Sequence, residues 1–236
     1  KDFAIMDGFN SCYGGPSFKI FLASDKEFIY NDAFTDLAQN YCGMFVVDNK
    51  NKIISTMEKS GCCLHYYSDF IVENNNPKLI RTRTDDCLKA PICTTTIEEW
   101  KGEKMTKTVT STIDLDSEII SDYFKFHVDK ENKDIILCNF YDDRLCYVIL
   151  DAKQNVEFYY PFEELRQTSD FIFYRKNGKL TFKNKDARYT IYDKSGNMGI
   201  DITYKGKTHQ WKGNPESRRG SLVKLMEVKY DNVVYQ

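Results

Sequence analysis

Apolar and polar residues alternate along most of this chain in short runs closed by turn-forming residues, the pattern of half-buried β-strands. Phe3–Met6, Ser17–Ala23, Met44–Asp48, Lys52–Glu58, His65–Glu73 and Lys78–Arg83 read as strands in the first third. Asp48-Asn49-Lys50-Asn51 and Asn74-Asn75-Asn76-Pro77 supply turn chemistry between them. One short helical turn fits residues 31–38. Residues 85–117 are less regular and read as a long connection with one or two strands. A meander follows in Glu118–Val128, Asp134–Phe140, Leu145–Leu150 and Val156–Tyr160, at roughly 10-residue spacing, as in one propeller blade. A second meander covers Phe171–Tyr174, Lys179–Asn184, Ala187–Asp193, Met198–Tyr204 and Thr208–Trp211. The tail Gly220–Leu225 fits a short helix or a strand. The expected fold is all-β, a propeller-like array of antiparallel meanders, with a two-sheet sandwich as the alternative. It reads as one β-rich domain over residues 1–236, with sub-blocks at roughly 1–84, 85–160 and 161–236.

The eleven residues Asp7–Ser17 interrupt this pattern. Three glycines, Pro16 and several small polar residues predict a loop of specified backbone. Such a loop between strands is a place for recognition.

Composition narrows the function classes. The 16 Tyr and 16 Phe favour strand over helix, and a net charge of −2 leaves no basic footprint for nucleic acid or an acidic membrane surface. No apolar run approaches the roughly 20 residues of a membrane span. No signal peptide is visible, but the chain opens at Lys1 without a methionine, so that absence has no weight. Eight cysteines in a strand-rich chain suit an oxidising compartment. Cys138 and Cys146 face each other in a hairpin centred on Tyr141-Asp142-Asp143-Arg144, either as a disulfide or as two packed thiols. Cys62-Cys63-x-His65 is poorly spaced for zinc. A disulfide from Cys62 or Cys63 to Cys42, Cys87 or Cys93 is the expected chemistry there.

Catalytic patterns are weak. The carboxylate pairs Glu98-Glu99, Asp142-Asp143 and Glu163-Glu164 are adjacent in sequence and point apart on a strand, whereas a glycosidase needs two carboxylates about 5–10 Å apart across a cleft. The three histidines lie in no nucleophile context, and no phosphate loop, dinucleotide fingerprint or nucleophile elbow occurs.

Three ordered blocks carry a resemblance. They are Asp2-Phe3-Ala4-Ile5 with Tyr13-Gly14-Gly15-Pro16-Ser17; Gly43–Asp48 with Lys59-Ser60-Gly61-Cys62-Cys63-Leu64-His65; and Gly199-Ile200-Asp201 with Trp211 and Gly220–Leu225. Together they resemble a family of bacterial secreted proteins related to periplasmic lysozyme inhibitors. Some members are immunity lipoproteins against peptidoglycan-degrading effectors delivered by the type IV secretion systems of rival bacteria. The resemblance implies a β-rich, propeller-like fold, no enzymatic activity, and a periplasmic or outer-membrane lipoprotein, with any lipid anchor upstream of Lys1. Its implied partner is a peptidoglycan hydrolase whose active site it occludes. The alternatives are a structural or adhesive module of the cell envelope and, less favoured, a hydrolase.

The family's first block usually follows an acidic, calcium-type loop, of which Asp2 matches the last aspartate. Calcium is therefore an expectation for a chain that extends upstream. Such inhibitors often insert a Ser-Gly-x-x-Tyr loop into the enzyme's cleft. Here Ser60-Gly61 and Ser195-Gly196 match its start, but Cys63 and Met198 stand at the tyrosine position. The expected partner-binding residues are Tyr192, Ser195, Gly196 and Asn197 of the later hairpin, with Tyr13 as a second candidate.

Overall fold

The computed structural model describes residues 2–88, 91–116, 118, 120–140, 143–161, 169–194 and 196–236, apart from the side chain of Phe140. Ser195, the Glu163-Glu164 pair and the turn residues Tyr141 and Asp142 lie outside the described residues. The chain divides into two compact units, Lys1–Lys89 with Cys93–Thr110, and Ala90–Ile92 with Ser111–Gln236. The middle sub-block read from the sequence, 85–160, is shared between them.

The first unit opens with β1 (Phe3–Ser11), β2 (Gly15–Ala23) and β3 (Phe28–Tyr30), a three-stranded antiparallel sheet. Next come helix α1 (Asp32–Gln39), then β4 (Val46–Asp48), β5 (Ile53–Ser60), β6 (Leu64–Glu73), β7 (Asn76–Asp86), β8 (Ile92–Lys101) and β9 (Lys104–Ile113), which form a six-stranded sheet in chain order. The α1 helix starts where Asn31 Oδ1 accepts the Phe34 N–H at 2.9 Å, an N-cap. It buries Phe34, Leu37 and Ala38 against Ile20, Ile54 and Phe70.

One expectation changes here and one sharpens. The stretch Asp7–Ser17 is mostly strand: β1 continues to Ser11 through register shifts at Met6/Gly8 and Gly8/Ser11. Its polar side chains hold the bulged ladder, since the Ser17 hydroxyl donates to Asp7 Oδ1 at 2.6 Å and accepts from the Asn10 N–H at 3.4 Å. Within the stretch read as a long connection with one or two strands, residues 92–113 form a hairpin of two ten-residue strands. Its strands carry Thr, Glu and Lys in place of an apolar alternation, so pattern alone understates them.

The second unit holds β10 (Tyr123–Val128), β11 (Lys133–Phe140), β12 (Arg144–Leu150) and β13 (Val156–Tyr160) as a four-stranded antiparallel sheet. A six-stranded mixed sheet contains β14 (Phe171–Tyr174), β15 (Lys179–Asn184), β16 (Ala187–Lys194), β17 (Asn197–Tyr204), β18 (Lys207–Lys212) and β19 (Val233–Tyr235). The tail forms a one-turn helix, α2 (Leu222–Leu225), before β19 returns parallel to β14. The two sheets bury one core between them, with Phe124, Phe126, Leu137 and Tyr147 from one side and Phe171, Leu180, Ile191 and Ile200 from the other. The fold is all-β, as expected. This unit takes the sandwich-like form of the two architectures the pattern admits. The other face of the four-stranded sheet is covered by Ile92, Ile113, Leu115 and Ile120.

Cys138 and Cys146 lie directly opposite across β11 and β12, the expected register. They are free, buried thiols and not a disulfide. They pack with Ile136, Val148 and Leu150 as small apolar side chains. Burial pushes the Cys138 thiol up to about 12, and that of Cys146 well above its ordinary value, so both stay protonated.

A polar cluster on the same sheet makes stability depend on acid. Asp134 Oδ1 lies 2.7 Å from His127 Nδ1, and its Oδ2 accepts from Lys125 Nζ at 2.7 Å and Gln154 Nε2 at 3.1 Å. Burial raises the pKa of this carboxyl, but the hydrogen bonds from Lys125, His127 and Gln154 outweigh it, and the net shift is downward from 3.8. A depressed folded pKa stabilises the protein above the unfolded value and is lost as pH falls through the folded one. Asp134→Asn is expected to lower stability by about 1–2 kcal/mol at pH 7 and by less at an acidic pH beneath 3.8, where the carboxyl takes up its proton. Urea unfolding at the two pH values checks this, and an equal loss at both would refute it.

Candidate functional site at a disulfide-braced corner

The β1–β2 corner is built from Ser11 to Gly15. Tyr13 and Gly14 adopt left-handed backbone, with φ of 53° and 69°. Gly15 allows a close approach instead, since a Cβ there would sit 2.7 Å from Ser11 Oγ. The corner is fastened from below by a disulfide between Cys12 and Cys42. The Cys42 N–H donates to Met57 O on β5 at 2.8 Å, which carries the brace into the neighbouring sheet.

The tip of the β5–β6 hairpin meets this corner. The Gly61 N–H donates to the Tyr13 hydroxyl at 2.5 Å, and Lys59 Nζ lies 5.0 Å from the centre of the Tyr13 ring. Tyr13 is nevertheless 67% exposed. Behind the tip, the Cys87 N–H donates to Cys63 O at 2.7 Å, and Cys87 is disulfide-bonded to Cys93. Cys62 and Cys63 are therefore not the partners of Cys42, Cys87 or Cys93. Those three are taken by Cys12 and by each other, and Cys62 and Cys63 are free. The register of β6 and β7 sets His65 opposite Asp85. The Arg83 guanidinium, with the Thr95 hydroxyl at 2.8 Å, holds the Asp85 carboxyl below its ordinary value.

The later hairpin carries its expected contact residues on both its strands and its turn. Gly196 stands exposed at its turn with φ of 82°, and Asn197 opens β17 opposite Lys194. Tyr192 does not project from that tip. It pairs with Gly199, and its hydroxyl occupies the space where a Cβ on Gly199 would be, 2.5 Å away. Burial raises its pKa, and the charge of Asp201 adds to this. The tip is tied back through its neighbour Asp193, whose Oδ2 accepts from Arg218 Nη2 at 2.8 Å and from the Leu222 N–H at 3.2 Å. Tyr192 thus lies in the β16–β17 ladder, while Gly196 and Asn197 stand at the turn of the same hairpin.

Asp2 serves the sheet: its Oδ1 accepts the Ala23 N–H at 2.8 Å. Among the described residues no three His, Cys, Asp or Glu side chains come together as a metal site. The residues at hand do not by themselves make a calcium loop. Beside Asp2, at the end of β1 away from Tyr13, lies a cavity of about 670 Å³ lined by apolar side chains including Ile20, Leu22, Phe34, Phe45 and Ile54. Sequence reading did not find this cavity, nor the roles of Cys12, Lys59 and Gly61. Their signal in the sequence was position: Cys12 directly precedes the Tyr13–Ser17 part of the first block, and Lys59 and Gly61 lie within the second.

A solved structure described as "Structure of a Xanthomonas Type IV Secretion System related protein" is similar to this chain at 25% identity and a TM-score of 0.42, over 45% of this chain and 51% of that one. The likeness spans about half of each chain and carries no argument by itself. No family model and no curated protein matches the chain. Two disulfides in the first unit fit an oxidising, extracytoplasmic compartment. No helix among the described residues is long and apolar enough to cross a membrane.

Proposed function

We propose that this chain is a periplasmic inhibitor or immunity protein that binds a lysozyme-like peptidoglycan hydrolase and occludes its active site, without catalysis of its own. One observation carries the reading: the first two blocks of family resemblance, distant in sequence, meet at one braced corner that presents Tyr13. Its backbone is fixed by the turn and the Cys12–Cys42 bridge, its oxygen accepts from Gly61, and Lys59 lies over its ring. An exposed aromatic held in this way loses little conformational freedom on docking, as binding anchors require. Its O–H proton remains available for a carboxylate in a glycan cleft. Tyr13 therefore replaces the later hairpin as the leading contact. Calcium, as part of this reading, needs ligands beyond Asp2.

Turbidity assays of peptidoglycan lysis with a panel of muramidases test the proposal. At least one enzyme is expected to be inhibited, and Tyr13→Ala is expected to weaken that inhibition about tenfold or more, near 1.4 kcal/mol, with unchanged circular dichroism. If the parent protein inhibits and binds none of them, the reading fails. If it degrades peptidoglycan alone, it is an enzyme. A structural or adhesive envelope module is the second reading. The solvent-facing aromatic cluster of Phe3, Phe28 and Tyr30, 38%, 54% and 43% exposed around Phe21, favours it.

A further inference from the structure

We propose that Cys62 and Cys63 are a redox couple, a vicinal dithiol that closes reversibly to a disulfide between neighbouring residues at the tip of the β5–β6 hairpin. The proposal stands apart from the hydrolase reading. The two sulfurs are 2.7 Å apart, in an S–H···S contact. No other cysteine competes for them: Cys12 and Cys42 are bonded to each other, as are Cys87 and Cys93, and Cys138 and Cys146 are buried in the second unit. Cys62 is exposed and Cys63 half-buried, so a reagent in solution reaches the pair. The backbone on both sides is held, at Gly61 by the Tyr13 hydroxyl and at Cys63 by the Cys87 N–H.

The oxidant is a disulfide, of the same class that makes the two existing bridges. The Cys62 thiolate attacks a sulfur of, for example, oxidised glutathione. The oxidant's S–S bond breaks, a mixed disulfide forms, and the first thiol departs with the proton that Cys62 gave up. The Cys63 thiolate then attacks the Cys62 sulfur of that mixed disulfide and expels the second thiol, which takes the Cys63 proton. Two cysteines are oxidised by two electrons and one disulfide is reduced to two thiols.

Neighbouring Cα atoms lie about 3.8 Å apart across a trans peptide, short of the roughly 4.4–6.8 Å that relaxed disulfides span. The closed ring is therefore strained by its covalent geometry. Strained, exposed bridges are the labile ones. Oxidation at this position stiffens the turn that contacts Tyr13, and reduction releases it.

The test uses the full chain exported to an oxidising compartment and purified without reductant. Iodoacetamide treatment followed by peptide mass mapping is expected to recover the peptide containing Cys62 and Cys63 unalkylated and lighter by two hydrogens than the dithiol. In a glutathione redox series this bridge should be the first to open, ahead of Cys12–Cys42 and Cys87–Cys93. The opened pair should bind phenylarsine oxide, one per chain, and Cys63→Ser should abolish that binding while leaving the circular dichroism spectrum intact. Alkylation of both residues before any reductant is added overturns the proposal. So does a bridge from either residue to another cysteine, or opening of this bridge only after the other two.

Discussion

Gly220→Ala is expected to destabilise the second unit by about 3–5 kcal/mol, the largest effect of any glycine in the turns of this chain. Two penalties coincide at this position. Its φ of 71° is left-handed backbone, which strains any residue with a Cβ. Its missing Cβ also faces the backbone of Tyr123: an added methyl would be driven into the Tyr123 carbonyl oxygen, with the carbonyl carbon 3.1 Å away. The approach is close because the segment before Gly220 is bonded to β10, through Arg219 N–H to Lys125 O at 2.8 Å and Lys125 N–H to Arg219 O at 2.9 Å. Just past it, Asp193 accepts from the Leu222 N–H, which fixes the entry to α2. Neither side of the contact can retreat without giving up hydrogen bonds. Gly196→Ala is the control, because Gly196 has a φ of 82° but open space around its missing Cβ. It should cost about 1–2 kcal/mol, the conformational part alone. Urea unfolding of both variants separates the two contributions, and equal losses would show that the close approach at Tyr123 has no weight.

Asn232→Ala is expected to cost a comparable amount, about 3–5 kcal/mol, and to do so unevenly with pH. Asn232 is fully buried, at 0% exposure. Its Oδ1 accepts the Leu145 N–H at 2.8 Å, and its Nδ2 donates to Leu145 O at 3.0 Å and to Asp170 Oδ2 at 3.2 Å. One side chain thus completes the backbone pairing of β12 and steadies a buried carboxylate that also meets Arg144 at 2.8 Å. Alanine leaves both Leu145 backbone groups without this partner and removes a donor from Asp170. Burial raises the Asp170 carboxyl, and the hydrogen bonds from Asn232 and Arg144 oppose it without cancelling it. A raised folded pKa favours the protonated acid, so this contribution to stability declines as pH rises through that value. Without Asn232 the carboxyl should move further up. The variant should therefore lose more stability at pH 7 than near pH 4, measured by urea unfolding at both. A pH-independent loss would mean that only the Leu145 bonds matter.

The strand content was legible in the sequence because it is local. Phe124, Phe126 and Val128 alternate with polar residues, and that period places all three in the core between the sheets. The same period, with the turn between them, set Cys138 opposite Cys146. Where strands are polar on both faces, as in β8 and β9, the period fades, and the stretch reads only as a long connection with one or two strands. The three-residue strand β19 was invisible for a different reason. Its place beside β14 depends on a chain return held by Asn232, and no short-range signal encodes such a return.

The candidate site shows the same division. The glycines of the first block announced an unusual backbone, and Gly14 and Gly15 do shape the corner by positive φ and close approach. That Tyr13 would be held by Gly61 and lie beneath Lys59 follows only from how the β1–β2 corner and the β5–β6 tip come together. The disulfides follow the same rule, because bridging depends on Cα separation and direction, which adjacency in sequence does not supply. By itself the sequence determined an all-β chain and its main strands, and its cysteine content suited an oxidising setting, since alternation, turn chemistry and composition act over a few residues or over the chain as a whole. The tertiary structure decided which cysteines pair, which tyrosine is presented and which is laid against the sheet, because those outcomes depend on contacts between residues tens of positions apart.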